Sequence, residues 1–150
     1  MWNKIVIKYG VILFLGLTIY FLLMRLAGLS DRYDFRMLNA LIQIVVIYLA
    51  IQKYAETNRS AFTYLSGTVV GISTTVVGVI PFAMVQMVHL YLNTTFLEHI
   101  QQNAPVIGPY INPFSGGLIV FVEGLAVGLI LSYICMRIVD LRISRQESST

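Results

Sequence analysis

From Ser60 to Leu97 the chain contains no Asp, Glu, Lys or Arg. A continuous helix over that run would measure about 60 Å at 1.5 Å per residue. That is too long for one upright crossing of a hydrocarbon core about 30 Å thick, and too short for two crossings with a loop. One span over about Phe62 to Leu92 satisfies both limits. Pro81 falls inside it and predicts a kink, because proline removes a backbone donor and crowds the preceding turn.

Three further apolar segments approach spanning length. The first runs from about Ile5 to Leu26, with Lys8 and Arg25 able to snorkel outward from an uncharged centre at Tyr9 to Met24. A cleaved signal peptide fits poorly, since the apolar stretch is long and Arg25 stands where a small-residue cleavage site belongs. The second runs from about Met37 to Gln52, between Arg36 and Lys53. It is short for a span, and snorkelling or local bilayer thinning would cover the shortfall. The last runs from about Pro113 to Val139. Pro113 suits a first helical position, and Arg137, Arg142 and Arg145 mark the far end.

The expected fold is therefore an all-α membrane protein, a four-helix transmembrane bundle forming one domain. Composition agrees: 57% of the residues are hydrophobic and 11% charged, against about a quarter charged in soluble domains. Residues 93–112 form an external linker, with a short interfacial helix over Thr95 to Gln102. Asn103 to Pro113 should be irregular, because it holds Pro105, Gly108, Pro109 and Pro113. Asn93-Thr94-Thr95 matches a glycosylation acceptor, but reads better as a helix cap or loop. Residues 144–150 are expected to form a disordered tail.

Orientation follows from Lys and Arg. Lys4, Lys8, Lys53, Arg59, Arg137, Arg142 and Arg145 fall on one side, whereas Arg25, Arg32 and Arg36 fall on the other. Both termini are expected in the cytoplasm (N-in, C-in).

Several function classes drop away. Cys135 is the single cysteine. It allows no internal disulfide and no zinc site built on cysteine pairs; it reads as a small buried residue. The net charge of +3 does not point to nucleic acid, because the basic residues sit at span ends where they meet headgroups. No metal-ligand or catalytic constellation is present: there is no H-E-x-x-H, no phosphate-binding glycine loop and no paired nucleophile and histidine. No cofactor is implied. Arg25, Asp31, Arg32, Asp34 and Arg36 read as a solvated loop with local ion pairs.

Lipid tails are as apolar as leucine, so close packing holds helices together in a membrane, and small residues permit it. The third span places Gly67, Gly71 and Gly78 at helical spacing on one face with Thr74. The fourth places Gly117, Gly124 and Gly128 on one face with Cys135. These complementary stripes predict that spans three and four pack together; the rival is a homodimer contact through one of them.

Glu123 lies well inside the fourth span, where a carboxyl is costly and a functional candidate by default. Depths compared at 1.5 Å per residue put Gln43 at a similar level. Tyr20, Gln86 and His89 come out nearer the external side. The functional reading makes Glu123 a proton or cation site with Gln43 and His89 as partners. The plainer reading makes it a protonated carboxyl that hydrogen-bonds across helices.

The segments "NKIVIKYGVILFLGL", "IYLAIQKYAETNRSAFTYLSGTVVG" and "NPFSGGLIVFVEGLAVGLILSYICMRI" complete an order of features over nearly the whole chain. That order resembles the bacterial family called domain of unknown function 4199, which are small four-span membrane proteins. The resemblance implies a bacterial inner membrane. It brings no activity and no functional residues. The expected role is a non-enzymatic accessory or scaffold subunit, whose partners are the lipid bilayer and a second copy or a larger complex. The alternative is a small proton- or cation-coupled transporter, homodimeric or not, that uses Glu123.

Overall fold

Four helices in the computed structural model are long and apolar enough to cross a membrane. Together they define a multi-pass helical bundle. The structure describes residues 2–28, 37–104 and 106–147. Helices α1 (Trp2–Leu26), α2 (Met37–Thr57), α3 (Tyr64–Leu92) and α5 (Pro113–Glu147) are the long ones, and α4 (Thr94–Asn103) is a short helix between the last two. Tight 3-10 turns at Arg59–Ala61 and Gly108–Tyr110 complete the described elements. Asp31, Arg32, Asp34 and Arg36, and the last residues of the expected tail, lie outside the described residues.

Local chemistry sets the helix ends. Thr63 and Ser66 exchange side-chain and backbone bonds in a capping box at the start of α3. Asn112 and Ser115 do the same before α5: Ser115 N–H donates to Asn112 Oδ1 at 2.8 Å, and Asn112 N–H donates to Ser115 Oγ at 2.8 Å. Gly28 closes α1 at φ 66°, the left-handed conformation that glycine adopts without a steric penalty. Its N–H returns to Arg25 O at 3.0 Å.

Two helices outrun their apolar cores. The short second segment becomes a 21-residue helix, about 31 Å long, which matches a bilayer core. The extra turn carries Lys53 and Glu56, paired at 3.4 Å and half exposed. Helix α5 has 35 residues, about 52 Å. It remains helical through 144–147, part of the stretch expected as a tail. Arg142 donates to the Tyr48 hydroxyl at 2.7 Å and Ser144 to Leu141 O at 3.2 Å. Arginine in the last turn also complements the helix dipole. Helix α3 continues through Pro81.

Helix α3 is the central element and touches each of the other long helices. It runs parallel to α1: a Cβ on Gly10 would strike Val77, and one on Gly78 would lie 2.9 Å from Leu13 Cβ. It runs antiparallel to α5, where Gly67 faces Met136, Gly71 faces Ser132, Gly124 faces Val79 and Gly128 faces Thr75. Gly117 abuts Met87 and the Ala83 carbonyl. The start of α1 and the end of α5 therefore lie at one end of the bundle. The other end, here termed the linker end, carries α4.

Three apolar clusters fill the interior. Leu13, Leu17, Val46 and Phe82 join α1, α2 and α3. Val6, Ala50 and Val70 join the same helices nearer the termini. Ile47, Ile51 and Ala55 of α2 pack on Cys135, Met136 and Val139 of α5. The large apolar residues left exposed ring the long helices, among them Leu15, Ile19, Leu41, Val45, Leu118 and Ile130. That surface suits lipid, not water.

Candidate functional site

The polar residues singled out above do not share one environment. Glu123 lies on the exposed side of α5, beside Gly124, which is turned inward onto Val79. Gln43 is 4% exposed and Gln86 is 7% exposed. The Oε1 of Gln43 is buried without a hydrogen-bond partner, as are Thr18 Oγ1 and Asn39 Oδ1. Tyr20 is half buried in α1. The unpartnered interior oxygens thus come from α1 and α2, while the Glu123 carboxyl belongs to the exposed side of α5.

His89 anchors a separate arrangement at the linker end. Arg25, in the last turn of α1, lies 2.9 Å from His89 Nδ1 through one terminal nitrogen. Through the other it donates to Asn93 Oδ1 at 2.9 Å. The Asn93 amide donates back to His89 O at 3.1 Å. Arginine has only donors to offer, so Nδ1 accepts and the ring proton sits on Nε2. That Nε2 is buried and has no acceptor. The imidazole is wedged between two aromatic rings, Phe21 of α1 at 5.1 Å and Phe96 of α4 at 5.5 Å between centroids. Such edge contacts fix a ring's orientation. Three elements are therefore joined at one histidine.

Asn93 is the hinge of this arrangement. It is the C-cap of α3, and its own N–H bonds to His89 O. It is also the residue from which α4 starts, yet its side chain does not cap α4. The oxygen that would perform that task is committed to Arg25 instead.

The sequence presents Arg25 as a snorkelling flank and a member of a solvated charged loop, and Asn93 as a cap or loop; in the structure Arg25 is joined instead to His89 and Asn93. The one available signal was that two spans of the same direction end at Arg25 and Asn93. Period and hydropathy do not reveal which same-direction ends are neighbours.

Among the described residues, no group of three or more His, Cys, Asp or Glu side chains could hold a metal ion. A wholly apolar groove of about 240 Å³ runs between α3 and α5, lined by Ile80, Met84, Met87, Phe114, Leu118 and Phe121 among others. The chain matches no protein-family model, no curated protein and no solved structure against which it was compared.

Proposed function

We propose that this protein is a non-enzymatic accessory or scaffold subunit of the bacterial inner membrane, with both termini cytoplasmic. The orientation rests on the excess of Lys and Arg at the terminal end, and the bacterial setting on the family resemblance. The observation that carries the reading is the placement of Glu123. It lies within a span, on the exposed side of α5, among exposed Ile119, Val122 and Ile130. The outward face of α5 thus combines a carboxyl with apolar residues, a composition suited to contact with another membrane helix. The apolar clusters between the helices support the same reading, since they leave the bundle surface as the place for recognition.

The test is gentle native purification of wild type and Glu123→Leu. Wild type should bring down a stoichiometric membrane partner, or a second copy of itself. Glu123→Leu should lower that recovery about tenfold, as loss of one member of a desolvated polar pair does, with the melting temperature unchanged. Purification as a bare monomer in both cases would defeat the reading.

A second reading, a proton- or cation-coupled carrier, is favoured by the unpartnered oxygens of Thr18, Asn39 and Gln43 in the interior. In proteoliposomes, Glu123→Gln should then abolish coupled flux while leaving the fold intact. Unchanged flux would reject the carrier.

A further inference from the structure

We propose that the turn ahead of α5, Val106 to Tyr110, is an anchor that seats the linker end in the headgroup and upper acyl region of the bilayer. Its apolar side chains are turned away from the protein. Val106 is 81% exposed and Tyr110 79%, and Ile107 is exposed as well. The neighbouring helix shows the reverse pattern. The apolar Phe96, Leu97 and Ile100 of α4 are half-buried, and Phe96 meets His89 of α3 edge-on. Its exposed positions are polar, namely Thr94, Thr95, Glu98, His99, Gln102 and Asn103. An amphipathic helix whose apolar side rests on its own bundle has little left to offer lipid; the turn after it does.

The backbone of the turn suits an apolar phase. A peptide group that enters lipid needs its hydrogen-bond partner within the protein. Gly108 N–H donates to Ala104 O at 2.7 Å, Tyr110 N–H to Ile107 O at 2.9 Å and Ile111 N–H to Gly108 O at 3.0 Å. Pro109 has no N–H to satisfy. The Ile111 carbonyl accepts from Gln101 Nε2 at 2.6 Å. The turn is also fixed in position: Ile111 is buried, and a Cβ on Gly108 would strike the Gln101 carbonyl of α4. Its exposed side chains are therefore presented without further ordering of the backbone, which lowers the cost of insertion.

Position and continuity identify the occupant as lipid. Leu90 and Ile111 meet at Gly116, which sets the turn level with the last turn of α3, where that span ends. Phe114, at the start of α5, is exposed and lines the apolar groove with Met84 and Met87. Ser115 Oγ donates to Tyr110 O at 3.2 Å, so the turn joins directly onto this lipid-facing surface of the spans. A tyrosine at that junction, with an apolar ring and a polar tip, is the residue type of the membrane–water interface. No Asp, Glu, Lys or Arg occurs between Glu98 and Glu123, so entry of the turn takes no such charge out of water.

The experiment places single tryptophans in the full chain, held in phosphatidylcholine nanodiscs. Trp2, the single native tryptophan, is removed throughout by Trp2→Phe. Val106→Trp and Tyr110→Trp test the turn, and Gln102→Trp tests the polar side of α4. All three replace side chains away from the core, where substitution leaves the fold intact. Two quenchers are compared, phosphatidylcholine brominated on its acyl chains and aqueous iodide. In Val106→Trp and Tyr110→Trp, brominated lipid should remove most of the emission and iodide little, with the emission shifted to the blue of Gln102→Trp. In Gln102→Trp the two quenchers should exchange roles. Iodide quenching without lipid quenching in both turn variants would overturn the proposal, because the turn would then stand in water. Protection from both quenchers would overturn it too, since the turn would then be covered by protein. Lipid quenching at all three positions would sink the assignment to the turn, because the whole linker would then be immersed.

Discussion

Leucine at Gly128 should destabilise the bundle by about 3 kcal/mol or more, the upper range for overpacking a close contact. A Cβ at that position would overlap the Thr75 side chain, with Thr75 Oγ1 at 2.6 Å and Cβ at 2.8 Å. Thr75 cannot swing aside cheaply. It is fully buried, and its hydroxyl donates to Gly71 O at 3.1 Å. One turn further along α5, Ser132 donates to Gly128 O at 2.6 Å and itself packs on Gly71 of α3. With no hydrophobic force pulling helices together inside lipid, the gap between α3 and α5 has little else to close it. Thermal unfolding in detergent should show a fall of about 10 °C, using the usual scaling for chains of this length. Ala126→Leu, on the exposed side of the same helix, should show none. Equal melting of the two variants would mean that α3 and α5 do not meet through these glycines.

The second large effect has the opposite sign. Gln43→Leu should stabilise the fold by about 1 to 2 kcal/mol, because it removes a buried carbonyl oxygen that has no donor. The side chain is almost wholly enclosed, and leucine is close enough in size to follow the same path. Melting should rise by about 5 °C by the same scaling. A fall instead would mean that Oε1 holds an ordered water, which the variant expels. The same variant separates the two functional readings. A scaffold should keep its partner when Gln43 is replaced. A carrier should gain stability and lose transport, since groups kept for function commonly detract from stability.

The long elements were legible because the membrane imposes a single rule on them. Apolar runs near spanning length must be helices, and four such helices are present. Their ends were less legible. Lys53 and Glu56 look like a boundary by hydropathy, yet they continue α2 as a charged turn held by their own pairing. Arg137 to Arg145 likewise continue α5 by way of Tyr48, a residue far away in sequence. Glu123 illustrates the same limit at the candidate site. Its depth follows from counting residues, but its azimuth depends on which face of α5 the glycines claim. The Arg25–His89–Asn93 arrangement was the least legible. It arises where three helix ends converge, and each residue taken alone has an ordinary explanation.

The overshoot of α5 bears on how the protein would transmit a turning motion. A helix of 35 residues is a rod, and Gly124 and Gly128 key it against Val79 and Thr75 like teeth. The arginines near its end stand on that same rod, and their compass bearing is set deep in the bundle. Advancing the mesh by one residue would rotate the whole stem by about 100°. Arg142 would then leave Tyr48, and the basic surface offered beyond the bundle would point a different way.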